Sequence, residues 1–575
     1  MAADHGGRRR VAFSPPAGEQ LAPSGERARV DANLAALRLL RDLEQQDRAL
    51  TVEQQRTLAA WSGWGAVPGV FDEDRGEWAQ ARSELLELVG EDGYAAARRT
   101  TINAHYTDPA IVAVIWQTVR ELGFDGGRVL EPGCGIGTFL GLAPADTEIT
   151  GVELDPATAR LAQALYPHAS VRNESFADTR LPDGHFDLTV GNVPFADVRL
   201  HDPQNNAGRH SIHNHFILKS LALTRPGGLV AVLTSRFTLD AANPAARREM
   251  SQLADLVGAI RLPSGSHRRT AGTDAVMDLV ILRRRGAGGE PATDPGWEST
   301  RAVDVDGEQI RINAWLAERP EMILGHLVAG RGMYASDTLL VRSDVPLDQL
   351  AERLQHAAGT LVAGARERGL TAAARDTSRV DGARRQAVAL APPGEWDGHI
   401  VARVDGTFAT VAQGTQEPLS VPATQARELR SLLELRDRAR GLLAAEAASL
   451  QDTPELAVLR DGLRGAYSAY VERYGPLNRY TLRRTGRADA EGGEERMARI
   501  TPPAVRLLCK HDPFGPLVRA LENFDDSTQT AAPAALLTER VVAPRAPRLG
   551  ADTPHDALAI CLDTHARVDL DEVAR

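Results

Sequence analysis

The chain has 575 residues, 43% of them hydrophobic, and a formal net charge of −11 at pH 7. This length exceeds what one hydrophobic core supports, so we expect at least two domains. The negative charge argues against a protein that coats nucleic acid, although it permits a local basic face. Apolar runs fall short of a membrane span, and the amino end lacks an apolar signal region, which predicts a cytoplasmic location and no membrane partner.

The cysteine content excludes some chemistry. Cys134, Cys509 and Cys561 are too few to staple a chain of this size, and none has the paired spacing of a zinc site. We therefore expect neither a disulfide framework nor a metal. Methylation of cytosine at carbon 5 needs a thiolate, typically in a Pro-Cys loop, and no cysteine here follows a proline. Attack by an exocyclic nitrogen needs no thiolate.

The first 285 residues divide into three segments by composition. Residues 1–30 are rich in proline, glycine and arginine without periodicity, which predicts a disordered amino terminus. Leucines at helical spacing predict a helical extension over 31–100. Residues 101–285 alternate apolar runs with helical stretches. This pattern is typical of an α/β domain with a doubly wound, Rossmann-like sheet that is mostly parallel with an antiparallel last strand.

The remaining residues are predicted to form accessory structure after a linker. Glycine and proline mark that linker at 286–300. A mixed α+β region is expected over 301–423. Leucines at helical spacing then predict a helical hairpin over 424–475 rather than a partner-binding coiled coil, because strict heptads do not persist. Residues 476–575 mix turns with short apolar runs and are interpreted as an accessory region that docks DNA or a partner.

A glycine-rich turn follows the first predicted strand, which ends at Glu131. Glycines allow positive φ and bring backbone amides close to a bound nucleoside. A dinucleotide site would usually read Gly-x-Gly-x-x-Gly. The acid-Pro-Gly-x-Gly-x-Gly pattern instead favours S-adenosylmethionine, with Glu131 facing its cationic amino-acid end; the alternative is a βα turn without a ligand. The predicted cofactor-binding residues of the turn are Pro132, Gly133, Gly135 and Gly137.

Further cofactor contacts are predicted on both sides of this turn. The next strand ends in Glu153, which is placed to accept the ribose hydroxyls. Phe176 is expected to pack on the adenine and Asp178 to accept from its amino group, the alternatives being a core aromatic and a turn cap. Upstream, Tyr106 and Thr107 are expected to fold over the methionine end, whereas the alternative for Thr107 is a helix cap.

A second loop suggests the transfer chemistry. A buried strand over 186–190 leads into Gly191-Asn192-Val193-Pro194-Phe195. An aromatic amine is a poor nucleophile, but the Asn192 side-chain oxygen and the backbone carbonyl of Val193 or Pro194 can accept both amine protons and direct the lone pair outward. Phe195 would stack on the base. Asn192, Pro194 and Phe195 are therefore the predicted catalytic residues for direct displacement on a flipped base, and the alternative is an ordinary Asn-Pro turn.

These motifs resemble those of adenine-specific amino-methyltransferases of the Asn-Pro-Pro-aromatic type. More specifically, the chain resembles the methylase portion of large methylase–helicase fusion proteins of phages and plasmids. The resemblance implies an S-adenosylmethionine-dependent enzyme that acts on DNA, with a helicase or another defence or mobile-element protein as a possible partner. The segments that carry it are Trp61–Gly65, Glu131–Gly137, Gly191–Phe195, Arg261–Pro263 with Ala271–Thr273, Met322–His326 and Arg473–Asn478.

The chain departs from that family pattern in two places. Val193 replaces the first proline of the commoner quartet, which should be tolerated because Asn, Pro and the aromatic residue are retained. The sequence also contains no Gly-x-x-x-x-Gly-Lys-[Ser/Thr] phosphate loop, so we expect no helicase or ATPase activity. It is interpreted as a short version, one half of a split gene, or a fragment of a fusion protein.

Two clusters near the transfer motif have open interpretations. Arg261, Arg268 and Arg269 lie in a basic stretch that is predicted to hold DNA phosphates, the alternative being solvated surface arginine. A histidine-rich stretch follows Phe195 and is interpreted as a substrate lid rather than a metal site, because few acids and no cysteine accompany it. Its histidines are His201, His210, His213 and His215.

We therefore expect a site-specific adenine methyltransferase for DNA. One alternative keeps the chemistry and changes the acceptor to a base amine in RNA or a glutamine side chain, because the same clamp fits any planar amine or amide. Another is a non-catalytic cofactor-binding scaffold or specificity module that works with a helicase partner.

Overall fold

Buried strands and helices alternate along most of the chain in the computed structural model. The structure describes residues 12–15, 21–44, 50–99, 107–196, 198–266, 275–286, 288–291, 295–330, 338–374, 390–391, 394–449, 451–488 and 495–544. The chain divides into two compact units, Met1–Gly394 and Glu395–Arg575, called here the first and second units. Each contains a hydrophobic core of its own.

Seven strands of the first unit form one sheet in the order β3-β2-β1-β4-β5-β7-β6. The pairs β1–β2, β2–β3, β1–β4 and β4–β5 are parallel, whereas β7 runs antiparallel to β5 and β6. The predicted Rossmann-like sheet with an antiparallel last strand is therefore confirmed. The strands are β1 (Gly127–Pro132), β2 (Thr147–Glu153), β3 (Ser170–Asn173), β4 (Phe186–Asn192), β5 (Thr224–Ser235), β6 (Ala254–Arg261) and β7 (Met277–Arg284).

The strand order reverses between β1 and β4, at the centre of the sheet. There Val129 lies beside Leu188 and Leu130 beside Thr189, so both strands end at the same edge. Central strands of this kind are covered on both faces, and β4 is buried from Phe186 to Gly191. Open α/β folds bind ligands at the carboxyl edge beside such a reversal.

Helices cover this sheet and extend beyond it. Asp108 caps α4 by accepting from Ala110 N, with Pro109 in the first turn, so Asp108 rather than Thr107 is the helix cap. The helices of the first unit are α1 (Glu26–Glu44), α2 (Val52–Ala59), α3 (Ala79–Arg99), α4 (Pro109–Glu121), α5 (Thr138–Gly141), α6 (Pro156–Leu165), α7 (Ile212–Leu223), α8 (Phe237–Asp240), α9 (Ala245–Leu253), α10 (Ala314–Ala317) and α11 (Leu350–Glu367).

The amino-terminal extension, Glu26–Arg99, shares the core of the first unit. Helices α1, α2 and α3 pack on α6, and Trp61 and Trp64 are buried edge to face with ring centroids 5.7 Å apart. The disorder predicted for 1–30 differs from the structure where it is described: Phe13 is buried with its amide bonded to Leu165 O, and α1 begins at Glu26.

Residues within and beyond the predicted linker at 286–300 also pack on the first unit. Trp297 is buried in its core, and the Asn313 side chain donates to the carbonyls of Trp297 and Leu239. The boundary between the units therefore falls at Gly394 rather than at the linker. This part of the chain contributes the hairpins β8 (Thr300–Val305) with β9 (Glu308–Asn313) and β10 (His326–Gly330) with β11 (Thr338–Arg342).

The second unit contains two long helices where the helical hairpin was predicted, α12 (Ala423–Ala448) and α13 (Pro454–Tyr474). Thr453 caps α13 before Pro454, and both helices bury leucines in the second core. Its other elements are β12 (Ile400–Ala402), β13 (Phe408–Ala412), β14 (Thr415–Leu419), β15 (Thr481–Ala488), β16 (Glu495–Ile500), α14 (Pro503–His511), α15 (Gly515–Arg519), β17 (Glu522–Asp525) and β18 (Thr530–Pro533). None of the helices in the described ranges is long and apolar enough to traverse a bilayer.

Arg261 lies at the end of β6 and is completely buried. Its guanidinium makes two hydrogen bonds to Asp278, at 2.8 and 2.9 Å, and an ion pair with Asp240 at 2.9 Å. The prediction that Arg261 contacts DNA phosphate is therefore wrong, because the guanidinium is enclosed with two carboxylates and has no access to the surface. Arg268 and Arg269 lie outside the described residues.

Replacing Arg261 with methionine should destabilise the first unit. The change removes the cation between two buried carboxylates, and breaking a buried pair from one side costs about 3–5 kcal/mol. Arg301→Met is the matched control, because Arg301 pairs with Glu318 on the surface and such pairs contribute at most about 1 kcal/mol. Urea unfolding would measure both, and equal effects would contradict this account of the cluster.

Candidate functional site

A cavity of about 730 Å³ lies at the carboxyl edge of β1, β2 and β4. Its volume falls in the range typical of sites for ligands and cofactors. Nine of the residues predicted to bind the cofactor or to catalyse transfer line it together: Thr107, Glu131, Gly133, Gly135, Glu153, Phe176, Asn192, Pro194 and Phe195. Tyr106 lies outside the residues that the structure describes.

The turn after β1, Pro132–Gly137, is called the cofactor turn. The amides of Gly133 and Cys134 both donate to Val152 O, which folds the turn back onto β2. Gly137 has φ 89°, and a Cβ there would lie 2.8 Å from Leu140 and Tyr166, so only glycine fits. Pro132 and Gly137 do not line the cavity themselves; they belong to the turn whose residues Gly133, Cys134 and Gly135 do.

The Glu153 carboxylate is fixed in the cavity wall. It accepts from Gly135 N at 2.9 Å and from Asp155 N at 2.8 Å, one bond to each oxygen. A carboxylate has about four acceptor positions, so each oxygen retains capacity for a ligand hydroxyl. Burial raises the pKa of Glu153 to about 7 against these hydrogen bonds. This geometry suits the predicted acceptance of two ribose hydroxyls.

Glu131 presents a buried carboxyl group to the cavity. It is 2% exposed, and within the described part of the chain its Oε2 has no hydrogen-bond partner. Burial, together with the charge of Glu153, raises its pKa well above the usual range. A buried carboxyl oxygen without a partner is costly, and a cationic group in the cavity would satisfy it. The residues therefore fit a cofactor with an ammonium and a sulfonium group.

Phe176 is a buried residue of the cavity wall, with its ring centroid 4.8 Å from that of Phe216. Asp178, predicted to accept from the adenine amino group, is instead exposed and does not line the cavity, because the chain turns away after Phe176. Glu174 and Ser175 take that place in the wall. They directly follow β3, and the rule that ligands meet strand ends would have indicated them.

The segment Asn192–Phe195, called the transfer loop, meets the cofactor turn directly. A Cβ on Gly133 would lie 3.5 Å from Pro194 Cδ, an ordinary van der Waals distance. Val193 N donates to Leu233 O, which holds the loop to β5. The Asn192 side chain donates from Nδ2 to Thr107 Oγ1 at 3.2 Å, so its Oδ1 points away from Thr107. The two predicted loops are therefore neighbours in one cavity.

The amino-terminal extension supplies part of the cavity wall that we did not predict. Its contributing residues are small or apolar, namely Gly63, Val89, Gly93 and Ala96. The last three lie on α3, which is interrupted at Gly90 (φ 70°, ψ 177°) and packs on α6, the helix that follows Glu153. The predicted helical extension carried no polar signature of a ligand site, because its contribution is shape rather than chemistry.

The histidines after the transfer loop are held in separate pairs. Asp202 Oδ2 accepts from His215 Nε2 and Lys219 Nζ, each at 3.0 Å, and Lys219 also donates to Ala177 O. Burial opposes ionisation of Asp202, but these two donors outweigh it and lower its pKa. His210 instead pairs with Glu249. Asp202 and His215 are thus buried anchors rather than parts of the predicted substrate lid.

No group of three or more His, Cys, Asp or Glu side chains within the described ranges is arranged to hold a metal ion. Beside the buried His215, Asp202 pairs with the Lys219 ammonium group, so a cation rather than a further metal-binding side chain is its neighbour.

Part of the chain is similar to known proteins. Residues 130–205 match the model of a family described as Methyltransferase domain. The chain is 29% identical over 269 residues to the Defense against restriction protein B of Escherichia phage P1, covering 46% of this chain and 10% of that protein. It is 28% identical over 191 residues to the Type II methyltransferase M.XamI of Xanthomonas campestris pv. amaranthicola, covering 29% and 35%.

A third relative is the rRNA N(6)-adenosine-methyltransferase metl-5 of Caenorhabditis elegans, 29% identical over 151 residues, which are 24% of this chain and 66% of that protein. The chain spans a tenth of the phage protein, about a third of the Xanthomonas enzyme and about two thirds of the nematode enzyme. The family match spans the end of β1 and all of β2, β3 and β4, whose carboxyl ends line the cavity, so this part of the sheet is similar to methyltransferase domains.

Glu131→Gln should stabilise the unliganded protein at about pH 8 and weaken cofactor binding. Folding raises the pKa of Glu131 and Glu153, so the folded state holds extra protons above the ordinary value of 4.5. The free energy of unfolding therefore falls as the pH rises from 4.5 to about 7. Because glutamine does not ionise, Glu131→Gln should raise the free energy of unfolding at pH 8, and denaturant unfolding would measure the increase.

Wild-type affinity for S-adenosylmethionine should weaken as pH falls below about 7, because protonation removes the negative charge of Glu153. The limiting slope is about tenfold per pH unit, and calorimetry between pH 6 and 8 would measure it. The matched control is Asp178→Asn, the same kind of change at an exposed residue outside the cavity. If Asp178→Asn weakened binding as much as Glu131→Gln, the assignment of Glu131 would fail.

Proposed function

We propose that this protein methylates the exocyclic amine of adenine in DNA, by direct displacement on a base flipped out of the duplex. The observation that carries the proposal is the contact between the transfer loop and the cofactor turn, where Pro194 would lie 3.5 Å from a Cβ on Gly133. Such proximity allows a donor held by Glu131 and Glu153 and an acceptor held by Asn192 to occupy one cavity.

The residues of the transfer loop account for activation of the amine. Bound S-adenosylmethionine supplies an electrophilic methyl group on a sulfonium ion. Asn192 Oδ1 accepts one amine proton, and the carbonyl of Val193 or Pro194 accepts the other, which draws the nitrogen toward tetrahedral geometry. The bond from Asn192 Nδ2 to Thr107 supports this role, since it fixes the orientation of the amide. Phe195 stacks on the base. Catalysis then consists of positioning and electrostatics.

Adenine in DNA is the proposed acceptor because the names of two relatives favour it: the first supports the adenine amine, and the second supports modification of DNA. One is named as an rRNA N(6)-adenosine-methyltransferase and another as a type II methyltransferase. DNA is favoured over RNA for two reasons. The name of the phage protein refers to restriction, and the Xanthomonas protein is named as a type II methyltransferase. We propose a role linked to restriction–modification, with DNA as a partner and a helicase or other subunit as a second partner.

The RNA acceptor is retained as a second candidate because of the similarity to the nematode rRNA enzyme. Labelled methyl transfer to unmethylated genomic DNA, to total RNA and to protein would separate the acceptors. Incorporation into DNA as N6-methyladenine supports the proposal. Labelling of RNA alone, or of protein glutamine alone, would show that the same reaction acts on that acceptor. Thermal stabilisation by the cofactor without any labelling would indicate a non-catalytic cofactor-binding scaffold.

Asn192→Ala should reduce methyl transfer by at least about 100-fold, which is the effect of removing one hydrogen-bonding group that acts on a reacting atom. Cofactor affinity should change little, because Asn192 lies on the acceptor side of the cavity. Asn243→Ala is the matched control, since Asn243 is exposed and outside the cavity wall. Turnover and calorimetric affinity measured on the same preparations would test this. Undiminished turnover in Asn192→Ala would refute the assignment.

A further inference from the structure

Phe237 is an apolar side chain that the first core does not explain. It is 52% exposed, and it is the only exposed aromatic residue among the described residues of the first unit. The others are buried or half-buried, including Phe195 in the transfer loop. An exposed aromatic ring beside a ligand edge is a stronger indication of binding than a scattered exposed aliphatic residue.

The position of Phe237 relates it to the transfer loop. Strands β4 and β5 run parallel, with Asn192 beside Leu233. Strand β5 continues to Ser235, roughly 7 Å beyond the level of Asn192 at about 3.3 Å per residue. Phe237 then begins α8 at the same edge. It does not line the cavity, and its place is on the carboxyl edge of the sheet, after the strand that neighbours the transfer loop.

The ring is held on a rigid support. The Arg236 guanidinium lies 4.3 Å from the Phe237 ring centroid and pairs with Asp240 at 3.5 Å. Asp240 in turn pairs with the buried Arg261 and accepts from Asn313 N at 2.9 Å. Helix α8 is thereby tied to β6 and to the end of β9. A preorganised aromatic side chain loses little conformational freedom when it inserts into a partner.

We propose that Phe237 enters the base stack of duplex DNA at the place that the target adenine leaves. This inference rests on the proposed function. Extruding a base removes its stacking and pairing, and an apolar side chain that fills the gap offsets part of that loss. Stacking on neighbouring bases needs no sequence-specific hydrogen bond. Phe237 is therefore a positioning residue for base flipping, and it does not touch the reacting atoms.

The test compares wild type with Phe237→Ala and Phe237→Trp on two duplexes that contain a site located by methylation-aware sequencing. In one duplex the target adenine is paired with thymine, and in the other it lies opposite an abasic position. Phe237→Ala should lower kcat/KM at least about tenfold on the paired duplex and less than about threefold on the abasic one. Phe237→Trp should retain most of the activity. Val52→Ala, an exposed apolar change on α2, is the control.

A readout independent of transfer is the emission of 2-aminopurine at the target position, which rises when the base leaves the stack. Wild type should raise it, and Phe237→Ala should raise it less at saturating protein. The inference would be overturned if Phe237→Ala lowered kcat/KM equally on both duplexes, or if it did not lower kcat/KM on the paired duplex. If the wild-type protein methylates no DNA at all, the proposed function fails first, so the two failures are distinguishable.

Discussion

Two buried carboxyl groups that face one cavity constrain the rest of the site. Glu131 is the second-last residue of β1 and Glu153 is the last of β2, and burial raises the pKa of both. Charged together without a ligand, they would oppose folding, so the site is most favourable when a cation enters. The reversal of strand order places the end of β4, with Asn192, in the wall of the same cavity. Sheet topology thus fixes the transfer loop relative to the two carboxyl groups.

Much of this arrangement can be predicted from the sequence because it depends on strand ends. Glu131, Glu153 and Asn192 each follow a short apolar run, and the order of those runs indicates a doubly wound sheet. Asp178 was misassigned because the pattern gives the end of β3 but not the direction of the chain after it. Arg261 was misassigned because a basic stretch reveals charge but not enclosure. Its partners, Asp240 and Asp278, become neighbours only through tertiary packing.

The contributions of more distant segments could not be predicted for a related reason. Glycine and proline predicted a linker over 286–300, but composition does not show where that segment and the chain after it pack. Trp297 and Asn313 return it to the first unit through burial and two carbonyl contacts. Likewise, Gly93 and Ala96 close the cavity by being small, and a missing side chain leaves no chemical signature in a sequence.

The buried ion cluster connects these segments to the carboxyl edge of the sheet. Asp240 pairs with Arg261 on β6 and accepts from the backbone of Asn313 at the end of β9, while its own helix carries Phe237. A buried cluster of this kind contributes little net stability, because desolvation offsets most of its Coulomb energy. Its geometric consequence is larger: it fixes α8 against both the sheet and the hairpin beyond the linker. Arg261, which is buried rather than available to DNA, therefore acts on this edge indirectly. Through Asp240 it fixes α8, the helix that carries the one exposed aromatic ring among the described residues of the first unit.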